Sequence, residues 1–328
     1  MKLNLTLACG EYDRTLALQT GSVKPDGIEI NYLPMLPSEL FRRQARHAEF
    51  DIAEFSLSTL CHLSDEGDRR LVAIPVFPSR KFRHSEIWVN VEAGISAPSD
   101  LRGKKIGAME YQQTAAVWQR AMLQHDYGVV PNDVEWYFGA WEVPGTYSER
   151  VPLELPGDIR TSVIPSDKCL DQMLVDGEIH ALMGADPPRS VRENSPKVAR
   201  LFPDYYEKEV EYFRRTNLFP IMHTVVIKRE LYEEHPWVAT NVYKAFVEAK
   251  EQATDKLPRA GALFCMLPWL VKHVEDDLAI LGPDPFPYGL EANRHSLETF
   301  MGYVHEQGII KKPMTPDQLF AAETRTAG

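Results

Sequence analysis

The sequence predicts an α/β protein of two lobes, with the second lobe inserted into the first. Three observations carry this. Strand-like and helix-like segments alternate from the N-terminus. A Pro/Ser turn followed by "LRGKKIGAM" starts a second such series in mid-chain, and a lone apolar strand, "IMHTVVIKREL", returns after it. The length, 328 residues, also exceeds what a single core usually serves.

The elements follow in order. "LNLTLAC" alternates as a strand, "EYDRTLALQTG" is a loop entering a short helix that stops at Gly21, and "IEINYLP" is a second strand. "PSELFRRQARHAEF" has helical character and "DIAEFSLS" returns to strand, which together predict a parallel sheet. "LVAIPVF" and "HSEIWVN" are further strands. In the second series "KIGAM", "VEWYFGAW" and "HALMGAD" read as strands, and "TAAVWQRAMLQHDYG" and "SDKCLDQMLVDGEI" as helices. The proline-rich stretch from Val143 to Pro165 is an irregular insertion, "FPDYYEKEVEYFRRTN" is mixed, and helices run from Tyr232 to the end. Lobe one is then 1–92 with 222–328, and lobe two is 93–221. The chain leaves lobe one near Asn90 and returns near His223, so two crossings form a hinge with the expected ligand cleft.

A net charge of −11 excludes nucleic acid and anionic membrane as partners, and no stretch is long and apolar enough to cross a bilayer. Hydrophobic content of 44% excludes wholesale disorder. Cys9, Cys61, Cys169 and Cys265 form no C-x-x-C pair and read as reduced thiols. "MKLNLTLACGEYDR" has neither the apolar core nor the cleavage site of an export signal, so the expected location is the cytoplasm.

Against this acidic background "SRKFRHSEIWVN", Ser79 to Asn90, stands out. It is either a solvated basic turn pairing with Glu86 or a site for an anion. Arg80 and Arg83 suit a carboxylate better than Lys81 does. Their spacing sets them on opposite faces of a strand, unless a sharp turn at Phe82 aims both into one site.

At this point the phrases "ACGEYDRTLAL", "GSVKPDGIEINYL", "FDIAEFSLST", "PVFPSRKFRHSEIWVN" and "FPIMHTVVIKREL" resemble the 4,5-dihydroxyphthalate decarboxylases. These are cytosolic enzymes built on the type II periplasmic-binding-protein fold, whose habit is also "DLRGKKIG" at the start of the second lobe. The resemblance spans nearly the whole chain. It implies loss of CO2 from a dihydroxylated benzene dicarboxylate, leaving a catechol monocarboxylate.

Such a reaction needs a proton donor at the ring carbon, a base near the hydroxyls, and cations for the carboxylate that stays. Arg14, on the loop after the first strand, is one candidate cation, or else a surface partner of Asp13. Glu54 and Ser56 end the third strand at the same edge, with Glu54 either paired to an arginine or acting on the hydroxyls. His84 and His223, at the outgoing and returning hinge strands, are the acid–base candidates. From lobe two, "MEYQQTAA" offers Glu110, Tyr111, Gln113 and Thr114 at a helix start, and Asp186 ends a strand as a further acid or a plain turn residue. The aromatics Trp136, Tyr137, Phe138 and Trp141 stack a ring or fill the core.

No cofactor is expected. A divalent metal stays open, since two histidines with Glu54, Glu110 or Asp186 supply ligand types without diagnostic spacing. Two rivals remain: a solute-binding protein for an aromatic or other small carboxylate, and a thiamine-precursor enzyme of similar fold, for which no cysteine or histidine chemistry is located. A symmetric homo-oligomer is the expected assembly.

Overall fold

The computed structural model describes residues 2–259 and 261–326. Among these, the strands are β1 (Leu3–Cys9), β2 (Ile28–Pro34), β3 (Ile52–Ser56), β4 (Leu71–Ile74), β5 (Ile87–Asn90), β6 (Lys105–Ala108), β7 (Glu135–Phe138), β8 (Arg160–Val163), β9 (Ala181–Met183), β10 (Val198–Arg200) and β11 (His223–Lys228). The helices are α1 (Leu16–Gln19), α2 (Pro37–His47), α3 (Leu57–Asp65), α4 (Thr114–Tyr127), α5 (Leu170–Val175), α6 (Arg189–Arg192), α7 (Tyr205–Thr216), α8 (Arg229–Glu234), α9 (Trp237–Thr254), α10 (Leu270–Leu281) and α11 (Arg294–Glu306). Two units divide the chain. Unit 1 is Met1–Arg80, Ile221–Glu298 and Met314–Gly328, and unit 2 is Lys81–Pro220 and Thr299–Pro313.

The unit 1 sheet has the order β2-β1-β3-β11-β4. β1 runs parallel to β2 and β3, as the alternation of strand and helix predicts, but β11 is antiparallel to both β3 and β4. Every residue of β3 and β4 is buried; β4 is apolar throughout, whereas β3 carries Glu54 and Ser56 on one face. α9 buries Val238, Val242, Phe246, Ala249 and Ala253, spaced for one helical face. Each large apolar side chain so buried contributes about 1.5–3 kcal/mol. Sequence reading continues "DIAEFSLS" as strand, but the chain turns into α3 at Ser56. Its hydroxyl caps that helix by accepting the Thr59 N–H at 3.5 Å, a change of period hidden in an apolar run.

The unit 2 sheet has the order β10-β5-β9-β6-β7-β8. β6 is parallel to β7 and β9, and β7 to β8, whereas β5 is antiparallel to β9 and β10. Both sheets are therefore mixed rather than purely parallel. Trp88 packs with Leu170, Leu174, Ile179 and Leu182 in one core cluster. α4 is buried from Thr114 to Leu123, and the segment read as mixed is α7. The irregular stretch contains one exposed strand, β8. Residues 299–313, expected with lobe one, belong to unit 2: Phe300 stacks on Trp118 at 5.2 Å, and Gln307 Oε1 accepts from Arg120 Nε at 2.8 Å. Among the described residues no helix is long and apolar enough to cross a membrane.

Candidate active site

Register builds the core of the site in unit 1. β3 lies between β1 and β11, with Ala53 opposite Ala8 and Ser56 opposite His223. Side chains alternate along strands, so Cys9, Glu54 and His223 emerge on one face. Glu54 is wholly buried. Its Oε1 accepts from His223 Nδ1 at 2.6 Å and from the Tyr12 hydroxyl at 2.7 Å, and its Oε2 accepts the Gly10 N–H at 2.8 Å. Cys9 Sγ sits 3.5 Å from Oε2. Burial alone would raise the carboxyl, but His223, the Tyr12 hydroxyl and the Gly10 N–H together hold it below its usual range. The negative charge in turn pushes Tyr12 and Cys9 up, after burial itself as the larger cause.

The loop after β1 is pinned over this carboxylate. Tyr32 donates its hydroxyl hydrogen to Gly10 O at 2.7 Å. A Cβ at Gly10 would come within 2.8 Å of the Tyr12 ring, so the close approach of that ring requires glycine. Phe41 of α2 packs edge-on against the His223 imidazole at 4.7 Å, which fixes the ring that Glu54 orients.

Arg14 lies on the other side of Tyr12. Its guanidinium sits between the Tyr12 ring, 4.2 Å to the centroid, and the Phe286 ring at 4.9 Å. Nε donates to Pro78 O at 2.6 Å and Nη1 to Asp13 Oδ1 at 3.0 Å. The Asp13 contact anticipated from sequence is present, yet it engages one nitrogen only. The Nη2 edge stays available to a ligand anion. Tyr12 thus joins a cation and a carboxylate–imidazole pair, touching the first with its ring and the second with its hydroxyl.

The basic cluster behaves differently from expectation. Arg80 belongs to unit 1 and Arg83 to unit 2, and both are buried. Arg80 Nη2 donates to Pro287 O at 2.9 Å and to Asn293 Oδ1, and burial lowers the group to about 9. Arg83 Nη1 donates to Ala185 O at 3.1 Å, and burial lowers it to about 10. Both guanidiniums donate to backbone carbonyls within their own units. Phe82 stacks on Phe219 at 4.6 Å, and Lys81 pairs with Glu86 at 2.6 Å, although Glu86 itself is buried.

His84 is seated in unit 2 with its ring edge-on to Phe202 at 5.2 Å and Tyr212 at 5.5 Å. Its Nδ1 is buried without a partner, and burial lowers the ring to about 4, with Lys208 and Arg215 adding to the effect. It lines a cleft of about 300 Å3 with those two cations and Tyr127. Within unit 1 the hydrogen-bond partner of His223 is Glu54.

The remaining expected residues are dispersed. Ser56 is spent on capping α3. Glu110 pairs with Arg150 at 3.5 Å. Tyr111 is core: Arg120 lies 3.7 Å over its ring, and its hydroxyl reaches Gln307 O at 3.4 Å. Gln113 is the N-cap of α4 without a side-chain capping bond, and Thr114 begins that helix, buried. Asp186 is exposed, three residues beyond the end of β9 at Met183. Trp136 and Phe138 are buried and Trp141 packs edge-on to Trp88, the core reading of those aromatics. Among the described residues no three His, Cys, Asp or Glu side chains are grouped to hold a metal ion.

Sequence reasoning missed Tyr12, Cys9, Tyr32, Phe41 and Phe286. Tyr12 had a usable signal, since it shares the "GEYDR" loop with Arg14. Phe286 had none, because its proline-flanked segment is remote in sequence from everything it touches.

No protein-family model matches the chain. In fold it is similar to the periplasmic aliphatic sulphonate binding protein SsuA from Escherichia coli (TM-score 0.54, 16% identity, 100% of this chain and 95% of that one). It is equally similar to the desulfurization enzyme DSZB (TM-score 0.53, 15% identity, 99% and 98%). The architecture is that of type II periplasmic-binding proteins, and it hosts both a binder and an enzyme. The chain is 37% identical over 319 residues to a 4,5-dihydroxyphthalate decarboxylase of Comamonas testosteroni, covering 97% of this chain and 96% of the relative. It is 39% identical over 213 residues to the Pseudomonas putida protein of that name, covering 65% and 82%. At that identity and coverage, the chain belongs to the 4,5-dihydroxyphthalate decarboxylase family.

Proposed function

We propose that this chain converts 4,5-dihydroxyphthalate to protocatechuate and CO2, acting as a carbon–carbon lyase. Family membership supports the substrate. The single observation that supports the chemistry is the buried Glu54 bonded to His223 at 2.6 Å, beside an arginine held between two rings.

In this reading Arg14 binds the carboxylate that stays, through its open guanidinium edge. His223, oriented and charge-balanced by Glu54 at Nδ1, delivers a proton from Nε2 to the ring carbon bearing the other carboxylate. The hydroxyl para to that carbon supplies electron density as the ring loses aromaticity. The C–C bond then breaks, its electron pair returns to the ring, and CO2 leaves, with one proton consumed for each CO2. Tyr12 holds the arginine and the carboxylate in register. A cytoplasmic location belongs to the same reading, supported by four cysteines that are all free thiols.

The rival, a binding protein that releases its ligand unchanged, has no use for a buried anion beside an anion site, because the carboxylate would repel the ligand. A catalyst gains from it by stabilising the imidazolium. The test is to incubate purified protein with 4,5-dihydroxyphthalate in D2O and follow CO2 and ring protons. Turnover places one deuteron on the vacated carbon of the product. Saturable binding with no CO2 would overturn the reading in favour of the binding protein.

A further inference from the structure

Tyr288 stands in the segment that carries Phe286 onto Arg14. The residue is buried, and among the described residues its hydroxyl has no hydrogen-bond partner. A buried polar group without a partner destabilises a fold, and phenylalanine would fill the same place without that cost. The ring itself is accounted for, since Lys250 Nζ lies 5.0 Å over it. The hydroxyl is left to explain.

Its place in unit 1 is fixed by the backbone around it. Gly289 N–H donates to Pro75 O at 2.9 Å, Arg80 Nη2 to Pro287 O at 2.9 Å, and Lys250 Nζ to Phe286 O at 3.1 Å. Arg14 is tied to the same stretch, 75–78, through Pro78 O at 2.6 Å, and its guanidinium meets Phe286 two residues before Tyr288. The unpartnered phenol and the cation with the open edge are thus held together by short connections. The charged and titratable groups whose fields reach the hydroxyl are Arg14, Cys9, Arg80 and Asp284. Asp284 is already paired with Lys250 at 2.5 Å, which leaves surroundings that favour an anion. Burial pushes the phenol well above its ordinary range, so at neutral pH it keeps its hydrogen and can donate it.

We propose that Tyr288 is a specificity-determining residue of the site, whose hydroxyl donates to the carboxylate that Arg14 binds. One oxygen of that carboxylate meets the guanidinium edge and the other meets the phenol. The inference rests on the decarboxylase reading for the identity of the ligand. A ring without an acceptor at this position would leave the buried donor unpaired, which is how such a group rejects an analogue.

Tyr288→Phe removes one oxygen and keeps the ring. Calorimetric titration with protocatechuate, which retains the carboxylate in question, should show binding about tenfold weaker than in the wild type. KM for 4,5-dihydroxyphthalate should rise by a similar factor with a smaller fall in kcat, because the contact is made both before and during the reaction. The melt of the free variant should be unchanged or higher, which a structural hydroxyl would not give. Equal affinity for protocatechuate in the two proteins overturns the proposal, as does a lowered melt with unchanged affinity. CO2 release is measured separately: affinity that answers to Tyr288 with no release would sink the decarboxylase reading and still support this one.

Discussion

His223 Nδ1 lies 2.6 Å from Glu54 Oε1, on adjacent antiparallel strands, with the carboxylate fully buried and the imidazole only partly so. The carboxylate faces no solvent, yet three groups of the same unit, His223, Tyr12 and Gly10, keep it ionised. The far nitrogen of the ring is the end left to work on a substrate.

Removing either member should therefore cost rate rather than fold. His223→Asn is expected to lower kcat by about 10²–10⁴, the usual worth of a positioned general acid. Glu54→Gln keeps the volume and loses the charge, with a similar loss of kcat. Steady-state kinetics on both variants, beside thermal melts, separates rate from folding.

Arg14 should govern substrate affinity. Arg14→Met is expected to lower kcat/KM by about 10²–10³, in line with the ~2–5 kcal/mol at stake when a buried charge pair loses one partner. Arg14→Lys should recover only part, since an ammonium cannot sit flat between Tyr12 and Phe286. Phe286→Leu should give a smaller loss, read mainly in KM.

Arg80 should behave oppositely. Its guanidinium serves Pro287 O and Asn293; Pro287 O keeps a donor in Asn293 Nδ2 at 3.0 Å, so Arg80→Met deprives chiefly the buried Asn293 Oδ1, at about 1–3 kcal/mol. The variant is expected to melt at a lower temperature with KM unchanged. A raised KM with an unchanged melt would return Arg80 to the substrate.

Acid stability should depend on His84. Its folded value of about 4 is depressed from 6.5, so the stability it contributes is complete above about pH 6.5 and is lost as pH falls toward 4. His180, also lowered by burial, adds to the same slope, while Glu54 acts only further down, below its ordinary 4.5. Melting wild type and His84→Phe at pH 7 and pH 5 should show the smaller drop in the variant.

Much of this was legible in the sequence. β1 alternates from Leu3 to Leu7 and β2 from Ile28 to Tyr32, and the strand limits coincide with those read from the pattern, although Ala8 and Cys9 at the end of β1 are both buried. Arg14, Glu54 and His223 were recognisable as polar groups at strand ends, where this class of sheet binds ligands. The carbonyl partners of Arg80 and Arg83, at Pro287 and Ala185, were not readable, since they are remote in sequence. Phe286 was hidden for the same reason: a contact made by tertiary packing alone leaves no local period. The aromatic surroundings of His84, Phe202 and Tyr212, are remote from it in sequence, so nothing beside it in the chain announces them.

The most direct test of the central claim is the rate of CO2 release from 4,5-dihydroxyphthalate by wild type and His223→Asn, each with the binding of the same compound measured separately. The account predicts release by the wild type, and a variant that still binds but releases CO2 at least a hundredfold more slowly. Equal release by both proteins would contradict it, and would take the proton-donating role away from the Glu54–His223 pair.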